Sequence, residues 1–172
     1  MSDQISVKQF TESFYEVLAE TFQDVHGVFL DKGNSLFETL EPVTAEQASR
    51  VISDKCPTLA AQIKHVIFYL CVTQDYVLNK NAGKVDWGEV WRTTQRVTPE
   101  EWTAIKQELR ETFKNTLAIL KNLDNWDNEN SVSGALGLLA HTAYHLGEIR
   151  QALGVMANGV PLLTRERLGE GQ

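Results

Sequence analysis

"LLAHTAYHLGEIRQAL", residues 138–153, reads as a buried helix that carries two imidazoles. At 100° per residue His141 and His145 project about 40° apart, from one stripe of that helix. Gly134 and Ala152 point nearly the same way, and Glu148 falls at the edge of the stripe. Small residues around the two rings leave space that a leucine-rich core would fill. A buried imidazole with no hydrogen-bond partner costs roughly 1–3 kcal/mol. The pair therefore calls for core hydrogen bonds or for a metal ion, and the spacing alone leaves both open.

The rest of the chain is also helical in pattern. Ser6 and Gln9 have capping-box form ahead of Phe10, Phe14, Val17, Leu18, Phe22 and Val25 at helical spacing. His26-Gly27 reads as the end of that helix, with glycine in the left-handed position and the histidine in a structural or exposed role. Ser35–Glu38 and Thr44–Gln47 repeat the capping pattern and predict two short helices joined at Pro42. A second long helix is expected from Pro57-Thr58 to about Asn79, followed by a turn at 81–84 and a short aromatic helix or loop from Asp86. Thr98-Pro99-Glu100-Glu101 is the strongest start signal, with Trp102, Ile105, Leu109, Phe113, Leu117, Leu120 and Leu123 behind it. Asn125–Asn130 reads as a polar turn before a last helix over about Ser131–Met156. No segment alternates with period two for long, so an all-α, four-helix bundle with short extra helices in its connections is the expected architecture.

At 172 residues, with 42% hydrophobic and 23% charged residues, the chain suits one domain with a core of its own. A net charge of −7, with scattered lysines and arginines, argues against nucleic acid as a partner. The N-terminus lacks an apolar leader, and no apolar run reaches the roughly 18 residues a membrane span needs. Cys56 and Cys71 form no CxxC pair and read as reduced thiols, so a cytoplasmic location is expected.

His65, in "AAQIKHVIFYLCVTQDYV", supplies the third candidate ligand. Ile63, Val66, Ile67 and Leu70 make one apolar face, while His65 shares another with Phe68, Tyr69, Val72 and Tyr76. A helix apolar on so much of its circumference is buried on more than one side, by the bundle, by a second subunit or by both. Histidines at i and i+4 can share one metal, and a third from a facing helix would complete a triad with open positions. Thr142 stands where the HExxH helix of a zinc peptidase carries its glutamate, so peptide hydrolysis is not predicted. The buried stripes also lack the repeated glutamates of a two-metal carboxylate site. Trp87, Trp91, Trp102 and Trp126 read as packing residues of the loop and third helix, with pocket lining as the other reading.

Several stretches together resemble the DinB-like (DinB/YfiT) family of four-helix-bundle metalloenzymes. They are "GNSLFETLEPVTAEQAS" (33–49), "LAAQIKHVIFYL" (59–70), "DWGEVW" (86–91), "VTPEEWTAIKQELR" (97–110) and the histidine helix. The resemblance spans nearly the whole chain and implies a single DinB-like domain over 1–172, an up-down-down-up bundle and frequently a homodimer. It also implies a metal site, with ligands mapping to His65, His141 and His145. Active family members transfer or isomerise small thiol adducts. Many relatives carry glutamine where this chain has Glu148.

The expected function is a divalent-metal enzyme acting on a small molecule, thiol-transferase-like, with a low-molecular-weight thiol among its substrates. Zinc or nickel is the expected cofactor, although imidazole also suits iron and copper. Glu148 either orients an imidazole or a bound water, or is an exposed helix residue on the side of Arg150. The alternative is a non-catalytic dimer that binds a metal or small ligand. Histidines bonded only within the core would mean a purely structural dimer. Free imidazoles titrate at about 6.5, so metal binding is expected to compete with protons near that pH.

Overall fold

The computed structural model describes residues 4–53, 56–78, 80, 85–123, 125–126 and 129–157. Seven helices fall among them: α1 (Val7–Phe22), α2 (Leu36–Leu40), α3 (Ala45–Ala48), α4 (Leu59–Val77), α5 (Glu89–Thr93), α6 (Pro99–Lys121) and α7 (Glu129–Ala157). The described residues form no strand; an isolated bridge joins Ser53 and Cys56. The turn expected at 81–84, the helix end at Asn79 and the chain beyond 157 lie outside the described residues, as do 127–128 of the polar turn.

Local chemistry sets the helix starts. Ser6 with Gln9, Ser35 with Glu38, Thr44 with Gln47 and Thr98 with Glu101 all form reciprocal capping boxes. Thr58 caps α4, its hydroxyl accepting from the Ala61 N–H at 3.2 Å. Each cap satisfies a backbone donor that the first helical turn would leave unpaired.

The core gathers where α4 packs against both α6 and α7, with α1 against α7. Leu18, Leu59, Ile63, Leu70, Leu109, Leu138 and Ile149 are fully buried. The Phe22 ring stacks on Phe113 with centroids 4.1 Å apart, tying α1 to α6. Trp102 is buried as well, and its Nε1–H donates to the Val43 carbonyl at 2.7 Å. Between α4 and α6, Lys64 pairs with Glu108 at 2.9 Å and the Gln74 amide donates to Thr116 Oγ1 at 2.8 Å. The face of α4 that carries Ile63, Val66, Ile67 and Leu70 is thus covered within one chain. The large apolar residues left in water include Tyr76 on α4, and Ile5, Val7 and Leu136 outside it. Both cysteines are free and exposed, Cys71 on the outer side of α4 and not among apolar neighbours in the core.

The first helix ends at Phe22, three residues before the expected Val25. The cause is Glu20, a fully buried carboxylate. It accepts backbone N–H groups from His26 (3.0 Å), Val28 (2.9 Å), Phe29 (2.7 Å) and Leu30 (2.5 Å). These four donors wrap the chain around the carboxylate, and Gly27 takes the turn at φ +84°. His26 is exposed and bonds through its backbone, so its role is structural, as expected. Burial raises the Glu20 pKa, but the four backbone donors outweigh it and hold the group at about 2, against its ordinary 4.5. A carboxyl with a lowered folded-state pKa stabilises the fold fully above about 4.5 and loses that contribution as pH falls towards 2. Glu20→Gln should therefore melt several degrees below wild type at pH 7, with the gap closing between pH 4.5 and 2. Thermal melts across that range check this; a pH-independent gap would show that the charge is not what holds the loop.

Candidate metal centre

The histidine site is built from α4, α5 and α7. The i, i+4 spacing on α7 sets the rings of His141 and His145 side by side, with centroids 4.6 Å apart. His65, from the facing α4, lies 5.0 Å from each of them, edge-on in both cases. One ring nitrogen from each residue falls within 4.8 Å of the other two, a group that could hold a metal ion. An ion with Zn–N bonds of about 2.1 Å separates tetrahedral donors by roughly 3.4 Å, so small ring rotations would close the triangle. The fourth histidine, His26, stays outside the cluster.

His65 and His145 are buried and His141 is half-buried. Burial is the first cause lowering all three pKa values. The positive charge the neighbouring imidazoles would carry lowers His65 and His141 further, to about 4. For His145 the Glu148 carboxylate works the other way without reversing the shift. Neutral imidazoles, the form a metal requires, are therefore the stable species at neutral pH.

The hydrogen-bond accounting distinguishes this cluster from a satisfied core. His65 Nδ1, His141 Nε2 and His145 Nδ1 are buried and have no aligned hydrogen-bond partner among the described residues. Glu148 Oε2 lies 3.0 Å from His145 Nδ1 but off the direction needed for a hydrogen bond. Its Oε1 accepts from the Tyr144 hydroxyl at 2.6 Å. Arg150, the neighbour expected as an alternative, turns away to Asn34. Glu148 thus stands behind His145, where a small ring rotation would align carboxylate and Nδ1–H.

Two aromatic plates hold the cluster. Trp91 of α5 stacks on His65, with centroids 4.3 Å apart and planes 30° apart. Tyr69 stacks on His141 at 3.7 Å and 25°. Tyr69 stands one turn after His65 on α4, so its place beside the site is readable from i, i+4 spacing. Trp91 was expected to pack the loop and third helix, and its position on His65 depends on how α5 folds back. No sequence period reports that. Trp126, by contrast, packs against Phe10, Phe14 and Tyr15, as a packing residue should. Also unforeseen are two buried oxygens without partners, Gln62 Oε1 and Thr142 Oγ1. They lie three residues before His65 and His145.

Chemically, three neutral imidazoles on two helices offer a facial donor set that leaves coordination positions open. No helix among the described residues is long and apolar enough to cross a membrane. No model of a protein family matches the chain, and no curated protein and no solved structure matches it.

Proposed function

We propose that His65, His141 and His145 bind one divalent metal ion, and that the chain is a metal-dependent enzyme acting on a small molecule in a thiol-transferase-like reaction. The observation that carries this reading is the meeting of three neutral imidazoles from two helices, His65 and His141 each with a buried ring nitrogen left without a partner among the described residues and His145 backed by Glu148. Core histidines kept for structure alone would ordinarily have those nitrogens bonded. When bound, a divalent ion supplies Lewis acidity that lowers the pKa of a thiol or water at an open position. The chain's own residues do the rest. Trp91 and Tyr69 fix the planes of two ligand rings, and Glu148 lies behind His145 to select its tautomer. Zinc or nickel suits the donor set, and an anionic thiolate suits three neutral ligands.

We read the architecture as an up-down-down-up four-helix bundle of α1, α4, α6 and α7. The register of the pairings supports this order. Residue numbers rise together along α4 and α6, from Lys64–Glu108 to Gln74–Thr116. They run oppositely along α4 and α7, from His65–His145 to the packing of Tyr76 against Gly134. The homodimer, the cytoplasmic location and the family membership belong to the same proposal. The exposed apolar residues open to a dimer contact include Tyr76 on α4 and, outside it, Ile5, Val7 and Leu136. Solution scattering should then return twice the chain mass.

The test of function is turnover. Zinc- or nickel-loaded protein, incubated with low-molecular-weight thiols and a panel of small electrophiles, should form thioether adducts at a rate abolished by His141→Ala. Metal-loaded protein without turnover on any pair would favour the non-catalytic metal- or ligand-binding dimer.

A further inference from the structure

A cavity of about 300 Å³ opens along the seam between α4 and α7. Tyr69, Val72 and Tyr76 line it from one face of α4, Trp87 from the segment before α5, and Gly134 from α7; buried Thr73 and, on α7, Ser133 are its polar lining. Gly134 makes the close approach of the helices workable. A Cβ there would lie 2.8 Å from Val77 Cγ1 and 3.1 Å from Tyr76 Cδ1, so any side chain would displace Val77 and crowd the Tyr76 ring. Trp87 is braced by Phe68 and Tyr69, with centroids 5.5 and 5.9 Å away, yet 44% of it remains in water. Tyr76 is similarly exposed, at 46%. Aromatic area held rigid and left wet is area that a ligand can remove from water at little ordering cost.

The composition of the walls states what fits. Among the described residues no charged side chain lines the cavity, so an ionic group would lose hydration with none of them to replace it. Three aromatic side chains favour a flat ring, which can stack on or meet them edge-to-face, over a branched aliphatic group. A dry cavity of about 150 Å³ holds one benzene ring, so roughly twice that volume admits two fused rings. We propose that this cavity binds an uncharged planar aromatic molecule of one or two fused rings. None of its walls is a histidine, so the site stands independently of the metal reading. Tyr69 borders both, with its ring on His141, and an aromatic ligand seated there lies one side chain away from the triad.

Indole, observed by saturation-transfer NMR and calorimetry in the presence of chelator, is the probe. Saturable binding at millimolar concentration or below is expected for wild type. Trp87→Ala, which alters a surface side chain, should weaken it about tenfold or more, equivalent to about 1.4 kcal/mol. Val72→Phe should fill the cavity and abolish binding. His145→Ala should leave binding within about twofold of wild type, so this result separates the pocket from the metal centre. Cyclohexanol should bind more weakly than indole. A separate groove between α1 and α7 is lined by Phe10, Val17 and Leu136. Absence of saturable binding, equal binding of cyclohexanol, insensitivity to Trp87→Ala in folded protein, or loss on Leu136→Ser in that groove would each overturn the proposal.

Discussion

Replacing His145 with alanine should empty the metal site. After equilibration at micromolar free zinc or nickel and gel filtration, wild type should retain about one ion per chain and His145→Ala less than about a tenth of that. Two imidazoles remain in the variant, but they come from different helices, and water must replace a ligand inside a buried cluster. His141→Ala should behave in the same way. His26→Ala should match wild type, since His26 is exposed and engaged through its backbone at Glu20. Glu148→Gln keeps an acceptor behind His145 but removes the charge, and should weaken binding by about tenfold, the usual effect of losing a partner behind a ligand. Elemental analysis of the folded variants checks all four. Full loading of His145→Ala would remove the assignment.

Metal should also raise the melting temperature, in a pH window that the burial of the triad determines. At free metal one hundred times Kd the stabilisation is about 2.7 kcal/mol, or roughly 5–10 °C for a domain of this size. The sequence alone places proton competition near 6.5, the ordinary value of an imidazole. Burial lowers all three folded-state values, those of His65 and His141 to about 4. Protons therefore reach His65 and His141 in the folded, metal-free site only well below pH 6.5, and His145 below its ordinary value. The metal-dependent increment should persist below pH 6.5 and be lost by about pH 4. The metal-free protein has its own dependence. Its unfolded chain takes up protons on these rings near 6.5 and its folded form lower, His65 and His141 near 4, so its stability falls as pH drops through that interval. Melts with and without chelator measure both effects. An increment that halves near pH 6.5 would mean that the rings are not buried as described. If chelator and pH leave the melting point unchanged while His141→Ala lowers it, the histidines are core residues and the enzyme reading fails.

The parts legible in the sequence are those that local rules govern. Four capping boxes, at Ser6, Ser35, Thr44 and Thr98, appear where their side-chain spacing put them, because a cap needs only its own first turn. His141 and His145 share a face because helical geometry requires it, and His65 joins them because it lies off the main apolar stripe of α4. Non-local packing was not legible. Glu20 looks like any glutamate near a helix end, and only the fold shows four backbone donors converging on it. Trp91 lies twenty-six residues from His65, and nothing periodic connects them. Excess apolar character on α4 left burial by the bundle, by a second subunit or by both; α6 and α7, with α5 beside them, cover part of it inside one chain, and Tyr76 stays exposed. Periodicity reports that a face is buried and not what buries it.

The most direct measurement is X-ray absorption at the zinc edge of stoichiometrically loaded protein. Binding by His65, His141 and His145 predicts a first shell of nitrogen or oxygen at about 2.0–2.1 Å. Outer-shell scattering should fit three imidazoles. A sulfur shell at about 2.3 Å, implicating Cys56 or Cys71, or scattering from fewer than two imidazoles in wild type, would contradict the three-histidine centre.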